Sequence, residues 1–116
     1  MNRGTLRILV LILGAITALI HLGLGISSLG IPDATPPGML FVLNGIAYIV
    51  LAMAVAFDLL PGQRSLVHYA LIAFAAVTIV AYFVVNQGIG GPLGWITKLD
   101  EVALIVVTYL HLKASA

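Results

Sequence analysis

The chain has 116 residues, 62% of them hydrophobic and 8% charged, with a formal net charge of +1 and no cysteine. Soluble domains carry about 25% charged residues, so this composition points to a bilayer, where lipid removes the need for a polar surface. The absence of cysteine excludes disulfides, thiolate metal sites, iron–sulfur clusters and thiol nucleophiles, and the near-zero charge argues against a nucleic-acid partner.

Four apolar segments follow one another, at about residues 6–27, 39–60, 65–87 and 93–112. Each is close to the roughly 20 residues that a spanning helix needs. The breaks between them are rich in proline and glycine: SLGIPDATPPG at 28–38, PGQR at 61–64 and GIGGP at 88–92. Such clusters punctuate helices, and short connections make neighbours antiparallel. The expected fold is all-α, a single-domain integral membrane bundle of four helices running up-down-up-down. Arg3, Arg7, Arg64 and Lys113 fall on one side if the spans alternate, and the first and third loops hold no Lys or Arg. The positive-inside rule then places the chain in the cell membrane with both termini cytoplasmic. The basic start also suits a cleavable signal peptide, but the first apolar stretch is longer than the 7–15 residues typical of one.

Helical periodicity places the polar residues on faces. In the first span Gly14, Thr17, His21, Gly25 and Ser28 recur at spacings of three and four, a stripe that suits close approach of a second membrane helix. Asn44, Tyr48 and Asp58 fall on one side of the second span, and His68, Ala75, Tyr82 and Asn86 on one side of the third. The fourth span carries Thr97, Lys98, Glu101 and Thr108 on a broad face, flanked by Asp100 and His111. Asp58 most simply pairs with Arg64 or with solvent. Trp95 and Tyr109, near opposite ends of the fourth span, read as interfacial anchors.

Lys98, Asp100 and Glu101 interrupt an apolar run, and three unpaired ionisable groups in hydrocarbon would cost on the order of 8–10 kcal/mol. At 1.5 Å per residue, His21, Asn44, Tyr82, Lys98, Asp100 and Glu101 all lie roughly 7–12 Å below the outer boundary. Polar groups from four helices thus share one layer. That layer is one positive charge short, a gap that a protonated His21, a protonated carboxyl or a bound cation would close. A purely structural account also stands. In it Lys98 snorkels or pairs with Glu101 along its own helix, and His21 bonds Asn44 or a backbone carbonyl. Near the inner boundary His68 and His111 share a depth, and paired histidines on adjacent helices are a ligand set for a b-type haem. Quinone contact by His21 or His68 is a further option.

The segments ITALIHLGLG (16–25) and WITKLDEVALIVV (95–107) resemble those of uncharacterised small four-span integral membrane proteins of archaea and bacteria, haloarchaea included. The shared pattern is a histidine near the outer end of the first helix and Lys-x-x-Glu early in the fourth, matched here by His21, Lys98 and Glu101. The resemblance implies the four-span fold and assigns no chemistry. A second likeness, to DoxX-like four-span proteins associated with quinone-linked redox complexes, lies in the architecture.

The function expected from these readings is that of a small polytopic, non-enzymatic membrane protein. Its buried outer polar layer, with His21, Asn44, Tyr82, Lys98, Asp100 and Glu101 as binding residues, would take a proton, cation or small solute. It is expected to act as a homo-oligomer or a subunit of a larger membrane complex, with the lipid bilayer as its constant partner. In that reading Glu101 is the anionic ligand or proton carrier, Lys98 its counter-charge and His21 the switch. The alternatives are a redox subunit holding haem at His68 and His111, or a quinone, and a ligand-free membrane scaffold.

Overall fold

The computed structural model describes residues 2–85 and 91–114. It contains four long α-helices: α1 (Arg3–Ser28), α2 (Thr35–Ala56), α3 (Arg64–Val85) and α4 (Pro92–Lys113). One turn of 3-10 helix, Pro61–Gln63, leads into α3. No strand occurs among the described residues. Three stretches, Arg3–Ser28, Thr35–Ala56 and Pro61–Val84, are long and apolar enough to cross a membrane. The fourth helix has the same length as α2 and α3, but Lys98, Asp100 and Glu101 give it more charge than those three carry. Asn86, assigned from sequence to the polar side of the third span, lies outside the described residues.

Local sequence sets the helix ends. The Asn2 side chain accepts a hydrogen bond from the Thr5 amide at 2.8 Å and caps α1, satisfying one of the donors a helix start leaves open. The α2 helix begins at Thr35, four residues before the apolar run, because Pro36 and Pro37 occupy its first positions, where a missing N–H costs nothing. It ends at Ala56, although Leu59 and Leu60 prolong the apolar sequence. Asp58 there has φ +48°, a left-handed conformation that stops the helix. Pro92 likewise opens α4.

The helices pack in a ring, each against its neighbours in chain order, with α4 closing on α1. The α1–α2 contact is the most extensive and α2–α3 the least. Small residues explain the first. A Cβ on Gly25 would lie 2.6 Å from the Gly38 carbonyl oxygen, and one on Gly45 would lie 2.9 Å from that of Ala18. Backbone thus approaches backbone at two levels, which is how membrane helices gain contact without a hydrophobic drive. The core between the helices is Leu6, Val10, Ala18, Tyr48, Ala52, Val55, Leu71, Ala75 and Leu104. Gly25→Val or Gly45→Leu is therefore expected to lower stability by about 1–3 kcal/mol, the usual cost of overpacking. Gly23→Val, which adds a side chain where nothing lies within 4 Å, should leave the melting temperature of the detergent-solubilised protein unchanged.

Candidate functional site

Glu101 stands at the centre of the bundle, on the third turn of α4 and on the face that also carries Thr97, Leu104 and Thr108. It has no exposed surface. Its Oε2 accepts hydrogen bonds from the Tyr48 hydroxyl at 2.7 Å and from Thr17 Oγ1 at 3.1 Å, so α2 and α1 both donate to it. Its Oε1 forms an ion pair with Lys98, one turn back on the same helix. The Lys98 ammonium in turn lies 4.9 Å from the centre of the Tyr82 ring of α3, a cation–π contact. One carboxylate therefore joins α1, α2 and α4, and its counter-charge reaches α3. The charge is matched by Lys98 and Oε2 accepts two hydrogen bonds, which offsets part of the cost of burying an ion pair.

His21 lies one turn beyond Thr17. Its Nδ1 is 2.8 Å from the Thr17 carbonyl oxygen and 3.3 Å from Thr17 Oγ1. The carbonyl can only accept, so Nδ1 carries a proton, and in the neutral imidazole Nε2 keeps a bare lone pair. The ring is 4% exposed, tilted against Phe41 and Tyr48 with centroids 5.7 Å away in each case.

Above this layer, toward the end where α2 and α4 begin, the bundle is not filled. A cavity of about 640 Å³ is bounded by all four helices. Its polar wall is His21, Asn44, Thr78, Tyr82, Thr97 and Lys98, and the rest is mainly carbon, including Leu24, Phe41 and Phe74. Leu40 and Val77 belong to the wall yet are 67% and 66% exposed. The cavity therefore opens on the side of the bundle, between the two helices that touch least. Cavities of roughly 300–1,000 Å³ with few polar groups in an apolar lining are typical of small-molecule sites. Tyr82 is seated against Gly94, where a Cβ would fall 2.0 Å from its hydroxyl oxygen.

The structure thus brings His21, Asn44, Tyr82 and Lys98 to one cavity, with Glu101 sealed behind Lys98. Asp100 is apart from them. It is 8% exposed, does not line the cavity, and its Oδ2 has no hydrogen-bond partner. Removing an unsatisfied buried polar group recovers roughly 1–3 kcal/mol. Asp100→Leu is accordingly expected to raise the unfolding temperature, whereas a fall on thermal denaturation would show that the carboxyl has a stabilising partner. Thr17 and Tyr48, the two donors to Glu101, were legible only as members of polar stripes. Their signal was spacing: Thr17 precedes His21, and Tyr48 follows Asn44, by one helical turn.

At the opposite end, where both termini lie, a second polar cluster closes the bundle. Arg64 donates to Asp58 Oδ1 at 3.1 Å, to the Leu112 carbonyl at 3.1 Å and to the His111 carbonyl at 3.0 Å. Asp58 also pairs with Arg3. His68 donates from Nδ1 to the Arg64 carbonyl at 2.8 Å, and its Nε2 is 2.8 Å from His111 Nδ1. The two imidazoles are nearly parallel, with centroids 5.1 Å apart. Two nitrogens ligating one metal from opposite sides stand about 4 Å apart, twice the usual metal–nitrogen distance of roughly 2 Å. As placed, His68 and His111 bond each other and do not fit the two faces of a haem. Among the described residues no group of three or more His, Asp or Glu side chains is positioned to hold a metal ion. Comparison with protein-family models, with curated proteins and with solved structures finds no match to this chain.

Proposed function

We propose that this chain is a four-span membrane protein with both termini on the cytoplasmic side, and that it binds a small solute in the cavity between its helices. The carrying observation is the cavity itself, with four helices around it and buried His21 and Lys98 in its wall. An oxygen-rich cation site is less well supported. Glu101 is shielded by Lys98, Tyr48 and Thr17, and the charged group lining the cavity is a cation. The span assignment rests on the three apolar helices and on α4, whose charges lie on its buried face while Leu99, Val102 and Val106 are exposed. In hydrocarbon such a distribution is what keeps ionisable side chains off the lipid.

The arrangement suits binding better than catalysis. Glu101 is held by Lys98, Tyr48 and Thr17, and His21 has one nitrogen tied to its own helix. Native mass spectrometry of the protein in lipid discs provides the test, comparing the wild type with Asn44→Trp, which fills the cavity from a half-buried wall position. The expected result is a small-molecule adduct on the wild type that is lost in the variant at unchanged melting temperature. An adduct of equal occupancy on both, or none on the wild type, would overturn the reading.

A further inference from the structure

We infer that the solute is a lipophilic monocarboxylic acid that enters sideways from the surrounding lipid, between α2 and α3, and lodges its carboxyl group against Lys98 and His21. This inference rests on the cavity being a binding site and names what the site takes. Three observations select the head group. Lys98 is the charged residue in the wall, while its partner carboxylate on Glu101 is sealed with no exposed surface, so the cavity meets the ammonium of that pair as a hydrogen-bond donor. His21 Nε2 offers a lone pair, because Nδ1 is committed to the Thr17 carbonyl. Asn44 Oδ1 is buried with no hydrogen-bond partner. The site thus supplies one charged donor and two acceptors.

A carboxyl group in its acid form answers both needs and adds no unpaired charge beside the Lys98–Glu101 pair. Its carbonyl oxygen accepts from the Lys98 ammonium while its O–H donates to His21 Nε2 or Asn44 Oδ1. A quinone head only accepts, and would leave both acceptors unmatched. An aliphatic alcohol has one oxygen to serve as both donor and acceptor, and its O–H is a much weaker acid and so a weaker donor to an imidazole lone pair. A cationic amphiphile would meet Lys98 as a like charge. The body of the ligand follows from the remaining wall, which is chiefly Ile20, Leu24, Leu40, Phe41, Phe74 and Val77. Its route follows from the exposed Leu40 and Val77 at the opening. A molecule already dissolved in lipid reaches that opening without crossing water.

The test uses the full chain in phosphatidylcholine nanodiscs and carbon-13 NMR of four probes labelled at the head carbon: oleic acid, methyl oleate, oleyl alcohol and acetate. Oleic acid is expected to give a bound resonance, distinct from the bilayer-dissolved one, that saturates at one per chain. The ester and the alcohol are expected to bind at least tenfold more weakly, and acetate not to compete. In Lys98→Met/Glu101→Gln, which removes both charges so that neither is left unpaired, the bound acid resonance should be lost. The comparison of acid with ester needs no variant, so it decides the matter even if the double substitution does not fold. Equal binding of acid, ester and alcohol would overturn the head-group assignment while leaving a cavity that binds lipophiles. Equal binding of acetate would overturn the route from lipid. No bound resonance from oleic acid would overturn the inference as a whole, and the separate adduct measurement on Asn44→Trp would still report whether the cavity is a site at all.

Discussion

Glu101→Ala is expected to destabilise the folded protein by about 3–5 kcal/mol, the range found when one partner of a buried ion pair is removed. The side chain accepts from Tyr48 and Thr17 and pairs with Lys98, all within the core. Its loss leaves a buried ammonium with only the Tyr82 ring for company and two hydroxyls without an acceptor. Most of the cost is the stranded charge, so Lys98→Met in the same chain should recover a large part of it. A double-mutant cycle by denaturant or thermal unfolding in detergent should give a coupling of about 2 kcal/mol or more, far above the few tenths that separate independent sites. The neighbouring carboxylate behaves in the opposite sense. Asp100 has no partner at Oδ2, so its replacement by an apolar residue should stabilise. Two adjacent acidic residues with effects of opposite sign would be hard to explain by charge density alone, and follow directly from which of them is paired.

Arg64→Ala is expected to cost about 2 kcal/mol, read from the same unfolding curves. The guanidinium joins the start of α3 to Asp58 after α2, and it caps α4 at two of its last carbonyls. Hydrogen bonds to charged groups contribute roughly 1.5–3 kcal/mol each. The Arg64 and Asp58 side chains are 20% and 23% exposed, so solvent reduces the total well below that sum. Arg64→Lys should not restore the loss, because a single ammonium cannot reach a carboxylate and two carbonyls with the geometry of a planar fork. Amide exchange in the last turn of α4 should rise in both variants. The adduct on the wild type should persist, since the cavity lies at the other end of the bundle. Closure at the end holding the termini and a side opening between α2 and α3 toward the other end together describe a bundle held at its base.

Much of this was legible because helical periodicity is a strong signal. The stripe at Gly14, Thr17, His21 and Gly25 is buried, and so are Thr97, Lys98, Glu101 and Thr108 on α4. Apolar length was a poorer guide to helix ends. The second apolar run pointed to 39–60, whereas α2 runs from Thr35 to Ala56, because prolines are compatible with a helix start and Asp58 ends it by a left-handed turn. The depth of the polar residues was legible in the sequence, but which of them share a cavity was not. Depth alone grouped His21, Asn44, Tyr82, Lys98, Asp100 and Glu101. Only geometry separates Glu101, which is sealed by Tyr48 and Thr17, from the residues that reach the cavity, and Asp100 from both. Nothing in a one-dimensional pattern says that α2 and α3 make the least contact of the neighbouring helix pairs. The shared depth of His68 and His111 suggested an axial pair, and the structure places their nitrogens 2.8 Å apart, in contact with each other.

The most direct measurement is an experimental density map of the protein in a lipid bilayer. The map is expected to show the four helices at membrane depth, α2 and α3 parted beside Leu40 and Val77, and an elongated non-protein feature whose polar end lies within hydrogen-bonding distance of Lys98 Nζ and His21 Nε2. A map in which α2 packs directly on α3, with Phe41, Phe74 and Tyr82 filling the space, would contradict the account.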